Sequence, residues 1–173
     1  MPQVLHTVLW NIASYELLAP LTPKTRPELF RLALPGEDLG AVGKLLPEQL
    51  ILRWLNHQIR KHLDEAAENP LPEASSSSNY AVANLSTDLA DGVALSLVMQ
   101  QLHPPGLTAA NWRELSTAPP LRRAEAVCAD AAALGCRRFQ IAPKDITSAE
   151  PKLLLGFLAD LMGAWPSPCN DPI

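Results

Sequence analysis

Apolar residues recur at helical spacing in several stretches of the chain, and no stretch of any length alternates them at the period of a strand. Val4, Leu5, Val8, Leu9 and Ile12 share one face of a helix over residues 3–18, which ends near Pro20. Such a face must be buried somewhere, so this segment is expected to be an extra core helix, with docking to a partner as the alternative. A short helix over 28–34 is stopped by Pro35-Gly36. The first main helix spans 47–63, with Pro47 at its first position and Leu50, Ile51, Trp54 and Leu55 on its buried stripe.

A central helix is expected over 87–103, ended by Pro104-Pro105-Gly106. Leu89, Val93 and Leu97 form its stripe, Ser86 or Thr87 can cap it, and Asp88 and Asp91 lie near its positive end. Gly92 falls inside it, where glycine costs about 1 kcal/mol relative to alanine. Close approach of another helix would explain its presence. One turn over 110–115 surrounds Trp112. The helix over 121–134 turns Ala124, Val127, Cys128, Ala131 and Leu134 inward and ends on Gly135 as a left-handed cap. The last helix, 149–164, is capped by Ser148 and buries Leu153, Leu154, Phe157, Leu158 and Leu161. The expected fold class is all-α, with no internal repeat.

Composition narrows the function classes more than it changes this architecture. The 173 residues suffice for one helical core, and 17 prolines fall mainly between apolar stretches, where they break helices. Residues 65–80 form a polar linker around Ser75-Ser76-Ser77-Ser78, too poor in apolar side chains to join the core. A net charge of −4 gives no general attraction to nucleic acid or anionic lipid. Cys128, Cys136 and Cys169 are an odd count without metal-type spacing and suit a reducing cytosol. No basic leader segment and no apolar stretch of about 20 residues points to secretion or a membrane span.

Reactive constellations are missing. His6, His57, His62 and His103 do not make the two-ligand helical spacing of a zinc hydrolase, and there is no phosphate loop or nucleophile elbow. Asp88, Asp91 and Asp145 lack the flanking oxygen ligands and central glycine of a calcium loop, which leaves capping as their role. Arg122-Arg123 and Arg137-Arg138 bracket one helix with only Phe139 nearby, too little for a nucleic-acid platform. An enzyme, a cofactor and a metal are therefore not expected.

The strings PEQLILRWLN at 47–56 and NLSTDLADGVAL at 84–95 are followed in order by Arg123-Ala124-Glu125, Leu134-Gly135-Cys136 and the segment from Ala142 to Leu155. Together they resemble the calponin-homology domain, most closely the second such domain of a fimbrin- or plastin-type actin-binding pair. The resemblance covers residues 26–166. It implies a single calponin-homology domain there, preceded by a helix and Pro-rich loop over 1–25 and followed by a flexible tail over 167–173. In the tandem proteins a stretch equivalent to 3–18 connects to a preceding domain of the same kind.

The resemblance also implies a non-enzymatic cytoskeletal module, with the face leading into and along the helix equivalent to 47–63 as one of the surfaces turned toward F-actin. Lys44, Glu48, Gln49, Arg53, Arg60 and Lys61 are the positions there not claimed by the apolar stripe, and they are the candidate filament contacts. The expected core comprises Leu50, Ile51, Trp54, Leu55, Leu89, Gly92, Val93, Leu154, Phe157 and Leu158. The alternative is a lone calponin-homology subunit of a microtubule-based, ciliary or axonemal assembly. Either role places the chain in the cytoplasm, on the cytoskeleton. Fimbrin-type proteins carry calcium-binding EF-hands, but no such loop occurs here, so calcium control is not implied.

Overall fold

The computed structural model describes residues 2–68, 80–103 and 112–164, and among these there is helix and no strand. The α-helices are α1 (Pro2–Leu18), α2 (Leu39–Val42), α3 (Pro47–Glu68), α4 (Val93–Leu102), α5 (Trp112–Leu115), α6 (Pro120–Ala133), α7 (Pro143–Thr147) and α8 (Pro151–Ala164). Two 3-10 turns, Pro27–Leu32 and Thr87–Leu89, complete the order. The Ser75–Ser78 run and the 167–173 tail lie outside the described residues.

The centre is the packing of α3 on α4, with α6 on the far side of α4 and α8 against α3. Leu50, Ile51, Trp54, Leu55 and Ile59 of α3 are buried, as the stripe predicted. Helix α3 runs five residues past its expected end, because Asp64-Glu65-Ala66-Ala67-Glu68 contains nothing that breaks a helix and Ala and Glu favour one. Helix α4 is covered on nearly every side, with Ala94, Leu95, Ser96, Val98, Met99 and Leu102 all buried. In α8, Leu154, Phe157, Leu158 and Leu161 are buried as expected, while Leu153 is half-buried.

The expected central helix over 87–103 is in fact two elements. Leu89 sits in the 3-10 turn, Gly92 adopts φ +76°, and α4 begins only at Val93. Leu89, Val93 and Leu97 therefore share no common helical phase. Leu89 is buried, whereas Val93 and Leu97 are half-buried, so Val93 is not a core residue. The reason for Gly92 changes too. A left-handed backbone requires it, and a Cβ there would also lie 3.0 Å from Arg123 Cβ, so the expected close approach is present as well.

Caps are formed by other residues than those expected. Ser86 and Thr87 make no cap bond to the helix; instead Asn84 Oδ1 accepts the N–H groups of Ser86 and Asp88. Asp88 reaches back to accept the N–H groups of Ala83 and Asn84 at 2.8 and 3.1 Å, and these bonds hold its carboxyl below the usual value. Asp91 caps forward as expected, accepting Val93 N–H at 2.8 Å. Ser148 is not the cap of the last helix. It ends α7, and α8 starts after Glu150, whose carbonyl accepts Leu154 N–H.

Gly135, at φ +95°, closes α6 with the paired bonds Cys136 N–H to Ala131 O and Gly135 N–H to Ala132 O, the double bond of a Schellman end. Helix α7 ends with the same pair, Glu150 N–H to Asp145 O and Ala149 N–H to Ile146 O, but with alanine in the left-handed position at φ +55°. Ala149→Gly is therefore expected to raise stability by about 0.5–1 kcal/mol, because the Cβ strain of left-handed backbone outweighs glycine's added unfolded-state freedom. Denaturant melting checks this, and a loss of stability would mean that the turn is unstrained.

The N-terminal helix departs most from expectation. It packs on α8 through its C-terminal half: Leu17 is buried, Trp10 and Leu18 are half-buried, and Trp10 meets Phe139 edge-on at 6.3 Å between ring centroids. Yet Val8, Leu9, Ile12 and Tyr15 are exposed, so the face expected to cover the core is open. What secures the helix lies further along: Arg138 Nη2 donates to Glu16 O at 3.2 Å.

Candidate functional site

Five of the six candidate contacts lie on α3 and Lys44 lies three residues ahead of it, and α3 is fastened where they sit. Asn56 donates Nδ2–H to Val82 O at 2.9 Å and accepts Val82 N–H at 2.8 Å, which fastens the returning chain to the helix. Gln49 Oε1 accepts Leu46 N–H at 3.0 Å and so caps the entry into α3.

At 3.6 residues per turn, Gln49, Arg53 and Arg60 fall within about 40° of one another around the helix. Glu48 is turned about 100° from Gln49, and Lys61 about 100° from Arg60. The six predicted residues thus do not make one stripe. Lys44, Glu48, Gln49 and Arg60 are exposed, while Lys61 and Arg53 are half-buried. Lys61 lies toward the buried side and is already engaged within the molecule.

Arg53 has a structural task. Its guanidinium makes a two-pronged pair with Glu37, Nη2 to Oε1 at 2.9 Å and Nη1 to Oε2 at 2.5 Å, and Nη1 also reaches Leu32 O at 3.4 Å. Glu37 Oε2 in turn accepts Leu34 N–H. The Arg53 hydrogen bond, aided by Leu34 N–H, holds the Glu37 carboxyl down to about 2. A carboxyl lowered on folding supports the fold above its ordinary value and is lost only as pH falls toward the lowered one, so this clamp stays closed at neutral pH. It ties the Pro27–Leu32 turn and the loop after it to α3. Sequence spacing could not reveal this, because the partner lies 16 residues away in a loop without periodicity.

Glu48 and Gln49 form the rim of an apolar recess of about 310 Å³, floored by Leu52, Leu85, Pro151 and Leu155. A larger groove of about 750 Å³ runs between α1 and the α7–α8 corner, with Leu9, Trp10, Phe139 and Leu153 inside and Lys144 and Lys152 at its mouth. Asp145, Ser148 and Glu150 also line the larger groove. Burial pushes the Cys128 thiol up to about 11 and the Cys136 thiol up to about 12, so neither is a thiolate at neutral pH. Among the described residues, no three His, Cys, Asp or Glu side chains gather as metal ligands. No helix of the described residues is long and apolar enough to cross a membrane.

With that geometry in place, comparison with known proteins settles the class. The family model of the calponin homology (CH) domain matches residues 45–167, and the chain belongs to that family. Fimbrin of Saccharomyces cerevisiae is 33% identical over 159 residues, covering 92% of this chain and 22% of that protein. Human Plastin-1 is 30% identical over 180 residues, covering 99% of this chain and 26% of that protein. The crystal structure of the actin-crosslinking core of Schizosaccharomyces pombe fimbrin superposes with a TM-score of 0.60 at 28% identity, covering 94% of this chain and 27% of that one. The chain thus spans about a quarter of the length of the relatives it matches.

These matches include α1, which precedes the family model. An offset of 149 residues aligns α1 with α8: Pro2 with Pro151, Leu5 with Leu154, Leu9 with Leu158, and Asn11 with the chemically similar Asp160. The counterparts of the exposed Val8, Leu9 and Ile12 are Phe157, Leu158 and Leu161, all buried in α8. Reading for periodicity alone finds both helices but misses this likeness, because it is register that matches and only some residues are identical.

Proposed function

We propose that this chain is a non-enzymatic actin-binding module of the cytoplasm, which meets the filament through the exposed polar side of α3. The observation that carries this reading is the superposition of 94% of the chain on the actin-crosslinking core of a fimbrin. The fimbrin and plastin relatives favour actin over the microtubule-based alternative. Lys44 and Arg60 are the exposed cations of the candidate set and supply the local attraction that the chain's net charge of −4 does not. Gln49 lies between them in sequence and adds a polar contact. Arg53 supports the surface from within.

Co-sedimentation with F-actin separates these roles. The Lys44→Glu, Arg60→Glu double variant should weaken pelleting by roughly tenfold or more, the loss expected for two rim charges reversed against an acidic partner, while its thermal midpoint stays unchanged. Arg53→Glu should instead lower the midpoint, since it opens the Glu37 clamp. Pelleting that survives the double reversal would move the contact off α3, and no pelleting of the native chain would remove the filament reading.

A further inference from the structure

Among the described residues, a deeply buried polar pair lies away from the α3 face. His103 closes α4, its backbone N–H bonded to Met99 O. Its side chain turns inward so that Nε2 lies 3.4 Å from Oδ2 of Asp130 on α6, and the two side chains are only 4% and 1% exposed. Neither ring nitrogen nor Asp130 Oδ2 has a hydrogen-bond partner of normal geometry. Buried polar atoms are almost always paired, and a buried charge whose partner is removed is strongly destabilising. Two titratable groups that depend on each other in this way make the contact between α4 and α6 sensitive to a proton.

We propose that His103 and Asp130 form a proton-operated latch that fastens the C-terminal end of α4 to α6. With the imidazole protonated and the carboxyl ionised, opposite charges hold the two helices together in surroundings where attraction is little screened. When the proton leaves, a carboxylate remains buried against a neutral ring, with the adjoining Leu102 and Ala131 of the two helices buried as well. Burial holds the Asp130 carboxyl above its ordinary value, and His103 is the charge that opposes this. A carboxyl raised on folding contributes stability while protonated, and that contribution is lost as pH climbs through the raised value. His103 offsets the loss only while it carries its charge.

Several described ionisable groups on the elements packed around the pair have partners of their own, Arg122 and Glu125 of α6 with each other among them. Arg53 of α3 is held by Glu37, and His62 responds to burial and to Glu65. Asp88 holds the backbone of residues 83 and 84, Arg123 of α6 donates to Asp91 O, Cys128 faces Ile141 O, and Asp145 of α7 accepts Ala142 N–H.

Thermal unfolding of the native chain, Asp130→Asn and His103→Gln, followed by circular dichroism, tests the latch between about pH 5 and about pH 8. Asp130→Asn removes the buried anion. Its midpoint should gain on the native one by at least about 3 °C as pH rises across that window, a shift well resolved for a chain of this size. His103→Gln leaves the anion alone, so it should trail the native chain at the acid end and converge with it at the alkaline end. Midpoints that run parallel across the window overturn the proposal. If Asp130→Asn does not fold, the His103→Gln profile decides in the same way.

Discussion

Trp54→Ala should lower the free energy of unfolding by about 3–5 kcal/mol, the range for deleting a large buried aromatic side chain. In a chain of this size that is a fall of roughly 10 °C or more in the thermal midpoint. The indole is 1% exposed, in the middle of the longest helix. Helix α3 packs at once on α4, on α8 and on the Pro27–Leu32 turn, so the hole left behind is walled by several elements that cannot all move in. Trp10, half-buried on α8, should cost far less when truncated, and the contrast controls for the general effect of losing a tryptophan. Far-ultraviolet circular dichroism in denaturant is the measurement, since it does not depend on which of the four tryptophans remain. A loss under about 1 kcal/mol, the range of surface substitutions, would mean that α3 is not the centre of the core.

That helix was legible in the sequence because its apolar residues keep one phase for several turns and a proline marks its start. The same signal found α6 and α8. It failed between residues 84 and 93, where Asn84, Asp88 and Asp91 satisfy the backbone through loop hydrogen bonds and Gly92 turns the chain left-handed before α4 begins. An apolar stripe drawn through Leu89 and Val93 crosses that break unnoticed.

The candidate site was legible only as a surface. Periodicity separated the buried side of α3 from its polar side, which placed Lys44, Glu48, Gln49 and Arg60 in solvent. It could not distinguish a polar residue facing solvent from one spent on the fold, as Arg53 is on Glu37 and Leu32 O. His103 and Asp130 were unreadable for a related reason: they come together only because α4 packs on α6, and each alone resembles a helix-end or surface residue. The open face of α1 shows the opposite limit, since a helical stripe states that a face needs cover and does not state what supplies it.

Asp160→Ala should cost about 1–3 kcal/mol, because two amide donors of part-buried bonds lose a shared acceptor. Asp160, 2% exposed on α8, accepts the N–H groups of Arg138 and Phe139 through the same oxygen, Oδ2, each at 3.0 Å. Since one oxygen serves both donors, Asp160→Asn can keep both bonds through its carbonyl and should lose less than about 1 kcal/mol, the worth of the charge assistance alone. The consequence reaches beyond the loop. Phe139 lies directly over Gly156, where a Cβ would come within 2.6 Å of its ring, and it carries the edge-on contact to Trp10. Arg138 carries the hydrogen bond to Glu16 O. Both ties between this loop and α1 therefore depend on one carboxylate oxygen of α8, so Asp160→Ala should also loosen α1, which limited proteolysis within residues 2–18 would detect. Equal losses in the Ala and Asn variants would assign the effect to charge instead of the shared acceptor. A large loss of stability with α1 still protected would mean that α1 is held on α8 by Leu17 and Leu18 alone.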